Sequence, residues 1–141
     1  MRTLRLLALL LLLAAPAWAG TRLADNGNQT VTDLATGLVW DQRETALTTW
    51  EAALAYCEAL NHGSQTDWRL PNRNELETLV DETRTAVPAL DRTYFPSGQS
   101  NLYWSSTSYP VTSTQAFYLD FSYGNLGNSA KTNALYVRCV R

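Results

Sequence analysis

Six side chains could carry covalent or acid–base chemistry: His62, Cys57, Cys139 and the hydroxyls of Ser105, Ser106 and Thr107. His62 is the one histidine of the chain. It stands just before Gly63 at the end of an alanine-rich segment, where capping the last carbonyls of a helix is the expected role. A serine nucleophile needs a base and a strained turn that presents it. No Gly-x-Ser-x-Gly elbow surrounds Ser105, and a β-strand accounts for the hydroxyl run. The carboxylate pairs Glu75/Glu77 and Asp81/Glu82 read as helix capping or as a solvated face. "DNGNQTVTD", Asp25 to Asp33, resembles a calcium loop, but its alternate positions hold Asp25, Gly27 and Gln29. A hard cation needs six or more oxygens, so a turn is expected there. No catalytic residue, cofactor or metal is assigned, and the chain is read as non-enzymatic.

Binding chemistry is better represented. Sugars are held by aromatic faces together with amide and carboxylate hydrogen bonds. Tyr123, Asn125, Asn128, Lys131 and Asn133 offer such groups within one turn-rich stretch, and Asn101, Tyr103 and Tyr109 flank the strand before it. Loops on a rigid scaffold are where binding residues tend to sit. These eight residues form the expected ligand-binding set.

The elements that must position them follow from pattern. "TVTDLATGLVWD" predicts a hairpin in which Gly37 takes a positive φ. Thr48 and Glu51 predict a capping box opening a helix, with Trp50, Ala53 or Leu54, Cys57 and Leu60 on its buried stripe and Asn61–Gly63 at its end. Trp68-Arg69-Leu70 reads as a short strand stopped by Pro71. Asn72 and Glu75 then form a second capping box, with Leu76, Leu79 and Val80 as the apolar face, and Arg69 is expected to pair with Glu75. The stretch around Pro88, Pro96 and Gly98 reads as loop. "LYWSSTSY" and "QAFYLDF" predict strands, the second alternating Phe117, Leu119, Phe121 against Ala116, Tyr118, Asp120. "SYGNLGNS" reads as turn. "ALYVRCVR" predicts a last strand with Leu135, Val137 and Cys139 on one face and Tyr136 and Arg138 on the other. Helices segregated from antiparallel strands indicate α+β.

Arg2 and Arg5, the apolar run Leu6–Ala15 and the small residues of Ala17-Trp18-Ala19 predict a secretory signal peptide over residues 1–19. The run is too short for a membrane span. Gly20 to Gln29 is expected to be flexible, and residues 30–141 to form one domain. Lys and Arg total 11 against 13 Asp and Glu, a net charge of −2, which falls by two more with loss of Arg2 and Arg5. Such a balance gives no steering field for nucleic acid. Two cysteines in an exported chain allow one disulfide, Cys57–Cys139, joining the inward face of the first helix to that of the last strand.

Four motifs in order, "VTDLATGLVWD", "WRLPNRNEL", "YWSSTS" and "YVRCVR", resemble the Lcl C-terminal domain family. It is a bacterial family of largely unknown function, first named from the end of a collagen-like surface adhesin. The resemblance runs from about Asp25 to Arg141. It implies a fold similar to C-type lectin-like domains and to the formylglycine-generating enzymes, in which a helix-to-last-strand disulfide is expected. Those enzymes use two close cysteines with copper, whereas Cys57 and Cys139 are expected to be a structural bridge. The motif residues Trp40, Trp68, Arg69, Pro71, Glu75, Trp104 and Arg138 are assigned to holding the fold. The implied function is a secreted or periplasmic module that binds a glycan or a cell-surface protein. The alternatives are a structural subunit of an envelope complex and, third, an enzyme of the formylglycine-generating type.

Overall fold

A computed structural model describes residues 21–141; the signal peptide expected over residues 1–19 lies outside the described residues. The elements run β1 (Leu23–Asp25), β2 (Thr30–Asp33), β3 (Val39–Asp41), α1 (Trp50–Glu58), α2 (Arg73–Glu77), β4 (Leu102–Ser108), β5 (Gln115–Asp120) and β6 (Asn125–Ala130). They build two antiparallel three-stranded sheets, β1-β2-β3 and β4-β5-β6. The fold is therefore α+β. No helix of the described residues is long and apolar enough to cross a membrane.

The β4–β6 sheet is the middle layer. Alternation along β5 sends Leu119, with Phe121 just beyond the strand, into one core and Ala116 and Tyr118 into another. The first core also holds Leu76 of α2, Val31 and Trp40 of the small sheet, and Leu90 and Phe95 from the long loop. The second holds Ala53 and Cys57 of α1, with Trp68, Leu70 and Trp104. A sheet covered on both faces has no solvated side, which is why β5 buries residues of both parities.

The C-terminal segment joins the layers. Tyr136 donates to the Leu102 carbonyl and accepts from Trp104, so the segment first runs beside β4. It then crosses to β3, where Val39 and Arg141 exchange hydrogen bonds of 2.9 Å and Asp41 donates to Cys139. On its other side Arg69 and Val140 exchange bonds of 2.8 and 2.9 Å. The Cys57–Cys139 disulfide, with Cα atoms 5.5 Å apart, pins α1 to this segment. The predicted face alternation holds: Leu135, Val137 and Cys139 lie in the second core, while Tyr136 packs against the first. The predicted continuous strand does not form, because the segment changes partners and makes only single bridges at Leu135, Tyr136 and Val140. Trp68–Leu70 is likewise reduced to one bridge, Arg69 to Val140, although Trp68 and Leu70 are buried as expected.

Four further expectations are corrected. Within the lead expected to be flexible, Leu23–Asp25 pairs with Val31–Asp33 as an edge strand. The Thr48–Glu51 capping box is not made. The backbone of Thr48 is engaged both ways with Leu135, the N-cap is Thr49, and the Lys131 carbonyl accepts from Trp50 N–H in place of a side chain. The helix stops at Glu58, before Asn61–Gly63. Asn125–Ala130 is a strand rather than a turn, because Gly127 lets the Tyr118 ring lie against its backbone; a Cβ there would stand 2.4 Å from the ring. The hairpin forms as predicted, with Gly37 at φ +76°. The Asn72–Glu75 capping box forms in both directions.

Candidate functional site

The eight residues expected to bind ligand divide into two groups at opposite ends of the β4–β6 sheet. Asn101, Tyr123 and Asn125 stand at the start of β4 and the β5–β6 turn, since Leu102 and Asn125 both pair with Asp120. Tyr109, Lys131 and Asn133 stand at the far end, where Ala130 pairs with Gln115, and Asn128 lies between. Five residue steps of strand separate the ends by about 17 Å. No single surface joins the set.

Most of these side chains already serve the fold. Tyr103 is fully buried, which removes it from any ligand. Its hydroxyl donates to Glu44 and accepts from Gln99 N–H, and burial pushes its ionisation well above the usual phenol range. Tyr109 meets the Phe117 ring edge-on at 5.3 Å. Lys131 lies 4.0 Å over the Trp50 ring and donates to Ser108. Asn128 donates to Gln115 and Asn133 to Ser129. Asn101 accepts from Leu102 N–H. Tyr123 stands largely free, 76% exposed, and Asn125 is also exposed.

The motif residues are engaged within the fold. Trp40 and Trp104 are fully buried, and Trp104 donates to the Thr48 carbonyl. The Pro71 carbonyl accepts from Ser106 of β4. Arg69 grips Glu75 through two bonds of 2.7 Å. Hydrogen bonds from Arg69 and the Asn72 N–H outweigh burial and hold Glu75 below the usual carboxylate range. Arg138 is wholly enclosed and donates to Glu44 and to the carbonyls of Asp41 and Gln42.

Two of the three candidate hydroxyls and the histidine are also engaged. Ser105 is buried and donates to the Phe117 carbonyl, and Thr107 accepts from Arg73 N–H. His62 does not cap α1 as expected: its ring nitrogen meets the Gln29 carbonyl at 3.1 Å, and its backbone pairs with Gln65. Asp25 of the calcium-like stretch accepts from Gly27 N–H, and Asp33 is buried against Arg22. No group of three His, Cys, Asp or Glu side chains suited to a metal occurs among the described residues.

Two hollows are better placed than the predicted set. One, of about 250 Å³, is lined by Asn26, Asn28, Thr30, Thr32, Val39, Gly63, Gln65, Trp68 and Arg141. Its walls are the Asn26–Thr30 loop and the His62–Gln65 turn, tied by the His62–Gln29 contact. Asn26 bonds both Thr30 and Thr32, and Thr30 donates to Asn28 at 2.6 Å. The Asn28 amide nitrogen and the Gln65 amide bond nothing among the described residues, so they are free to meet a ligand. Gln29 and Ser64, one on each wall, hold φ of 62° and 61°, a conformation that non-glycine residues keep only where their surroundings impose it. Trp68 is buried, only 3% exposed, its indole N–H donating to the His62 carbonyl. The second hollow is a groove of about 630 Å³ between β1 and the Glu77–Thr83 turn. Sequence reading missed both. The first had one signal, the alternation of Asn and Thr through Asn26–Thr32, which was absorbed by the calcium-loop comparison.

The family model described as the Lcl C-terminal domain matches residues 29–141. The chain belongs to the Lcl C-terminal domain family. A comparison with curated proteins finds no match. In this member of the Lcl C-terminal family, the matched stretch takes in β2 through the last residue, and so all of the second hollow's Glu77–Thr83 wall and most of the first hollow.

Proposed function

We propose that the protein is a secreted or periplasmic, non-enzymatic binding module whose ligand is a glycan held in the hollow between Asn26–Thr32 and His62–Gln65. The observation that carries this reading is the hollow's lining. Neutral amides and hydroxyls dominate it, the Asn28 amide nitrogen and the Gln65 amide have no partner among the described residues, and two backbone-strained residues stand in its walls. Polyhydroxylated ligands are recognised by such bidentate amides and hydroxyls. Ordering the donors before binding reduces the entropy lost on association. The lining lacks a stacking platform, so recognition rests on hydrogen bonding. A C-type lectin-like arrangement of the domain is part of the same proposal, supported by the disulfide from α1 to the C-terminal segment. Export is supported by that disulfide, which persists in oxidising compartments.

The test is a glycan array with the exported chain, followed by calorimetry on any positive class. Asn28→Ala with Gln65→Ala is expected to abolish binding while lowering the thermal midpoint by about 2–6 °C, because both side chains are exposed and the fold loses only the Thr30–Asn28 hydrogen bond. Tyr123→Ala is expected to change nothing. Binding that survives the double variant, or that is lost with Tyr123→Ala, rules out this hollow.

A further inference from the structure

The groove of about 630 Å³ has three properties that together define a ligand. Its floor is apolar, formed by Leu23, Leu79, Val80 and Tyr94. Its rim carries Glu77, Asp81, Glu82 and Asp91. The one cation lining it among the described residues, Arg22, is already held by Asp33 through bonds of 3.1 and 2.5 Å. The free charge of the rim is therefore negative.

The third property is the edge of β1. Arg22 accepts from Leu34 N–H and Asn26 donates to Thr30, so residues of even number in β1 turn their backbone toward β2. Leu23 and Asp25 consequently turn their N–H and C=O groups away, toward the open side of the sheet order β1-β2-β3. Thr21, Arg22 and Leu23 line the groove on this side. An unpaired strand edge is a template for another extended chain.

We propose that the groove receives an extended segment of a partner polypeptide, alternating apolar and basic residues, which adds to β1 as a fourth strand of the small sheet. Main-chain bonds to Leu23 and Asp25 align the segment. Its apolar side chains reach the Leu79–Val80–Tyr94 floor, and its lysines or arginines face Glu77, Asp81, Glu82 and Asp91. Side chains of a strand point alternately to two sides, so one register satisfies the floor and the rim at once. A second copy of this chain fits less well, because its own net charge is negative. The site is separate from the amide hollow, which lies on the other face of the small sheet. Thr30, Thr32 and Val39 line that hollow, whereas Val31, Trp40 and Leu23 pack in the first core.

The probe is a short alternating valine–lysine peptide titrated into the full exported chain, with a valine–glutamate peptide as counterpart. Binding of the lysine peptide is expected to weaken about tenfold in Asp81→Lys with Glu82→Lys and to fall as salt is raised. Backbone amide exchange of Leu23 and Asp25 is expected to slow on binding. Asn28→Ala with Gln65→Ala is expected to leave this affinity unchanged, which separates the groove from the glycan proposal. Equal binding of the glutamate peptide overturns the inference. So does peptide binding with no protection of Leu23 and Asp25, or a concentration-dependent dimer that the Asp81→Lys, Glu82→Lys variant strengthens.

Discussion

Arg138→Met is the perturbation from which most can be learned. The Arg138 side chain is fully enclosed, and its guanidinium bonds Glu44 at 2.7 Å and the carbonyls of Asp41 and Gln42 at 2.7 and 3.1 Å. It also lies 4.5 Å from the centre of the Phe95 ring. Glu44, itself only 7% exposed, accepts from the Tyr103 hydroxyl and from Gln99 N–H. Methionine fills comparable space but leaves a buried carboxylate uncompensated. Breaking one side of such a pair costs about 3–5 kcal/mol. For a domain of about 120 residues the unfolding entropy is roughly 0.25 kcal/mol/K, so a loss of ~4 kcal/mol lowers the melting temperature by ~16 °C. Glu44→Gln alone leaves the arginine buried and unpaired, and is expected to cost a similar amount. The double variant Arg138→Met, Glu44→Gln removes both charges, and its loss is expected to fall at least ~2 kcal/mol short of the sum of the singles. Urea denaturation of the four proteins measures the cycle. Additivity within ~0.5 kcal/mol, or an Arg138→Met loss below ~1 kcal/mol, would refute the argument that this pair is an enclosed, mutually compensating unit.

Three other outcomes are expected. Cys57→Ala with Cys139→Ala opens a loop with a sequence separation of 82, and chain entropy alone assigns this a loss of about 4.5 kcal/mol in urea denaturation. A loss under ~1 kcal/mol would show that the unfolded chain is restrained by other means. Gly127→Ala places a methyl group 2.4 Å from the Tyr118 ring and is expected to cost about 1–3 kcal/mol, with much of it recovered by Tyr118→Ala; no recovery would locate the strain elsewhere. Arg69→Gln tests the Glu75 pair by pH. Glu75 in the folded chain titrates below its ordinary value of 4.5, so the stability from the pair is complete above that pH and is lost as pH falls through the lowered folded value. The stability gap between wild type and Arg69→Gln should therefore be widest at neutral pH and close in acid; a gap independent of pH would mean that Arg69 acts only through packing.

Features carried by neighbouring residues were legible in the sequence. The Asn72–Glu75 box, the Gly37 hairpin and the alternation of Leu135, Val137 and Cys139 each depend on spacing within a few residues, and all three form. The disulfide was legible because two cysteines permit one pairing. What failed depended on distant partners. Leu23–Asp25 has three residues and no apolar alternation; β2 alone makes it a strand. Asn125–Ala130 has turn composition, and only Tyr118 of the neighbouring strand explains why Gly127 is required in mid-strand. Thr48 looks like a cap until Leu135, far along the chain, takes both of its backbone groups. The predicted ligand set is dispersed for a related reason. Asn and Tyr in a short stretch read as one surface, but a strand in that stretch carries them to opposite ends of a sheet.

The C-terminal segment also determines where a ligand can be accommodated without loss of the fold. Between Leu135 and Arg141 it bonds β4 and then runs between β3 and the Trp68–Leu70 segment, and Cys139 ties it to α1. Any change that displaces this segment disturbs both cores together, because Val137 and Cys139 belong to one and Val140 to the other. A binding site built on its central residues would therefore be coupled to global unfolding. The outer edge of β1, the Asn26–Thr30 loop and the His62–Gln65 turn lie one layer away from its central residues. They border the rigid unit, and only Arg141, its last residue, reaches the amide hollow. Elements that must adapt to a ligand come from the less stable parts of a fold, and elements that must hold shape come from its core. By that criterion the hollow and the groove are the proposed recognition sites, and the Arg69–Glu75 pair belongs to the part that holds shape.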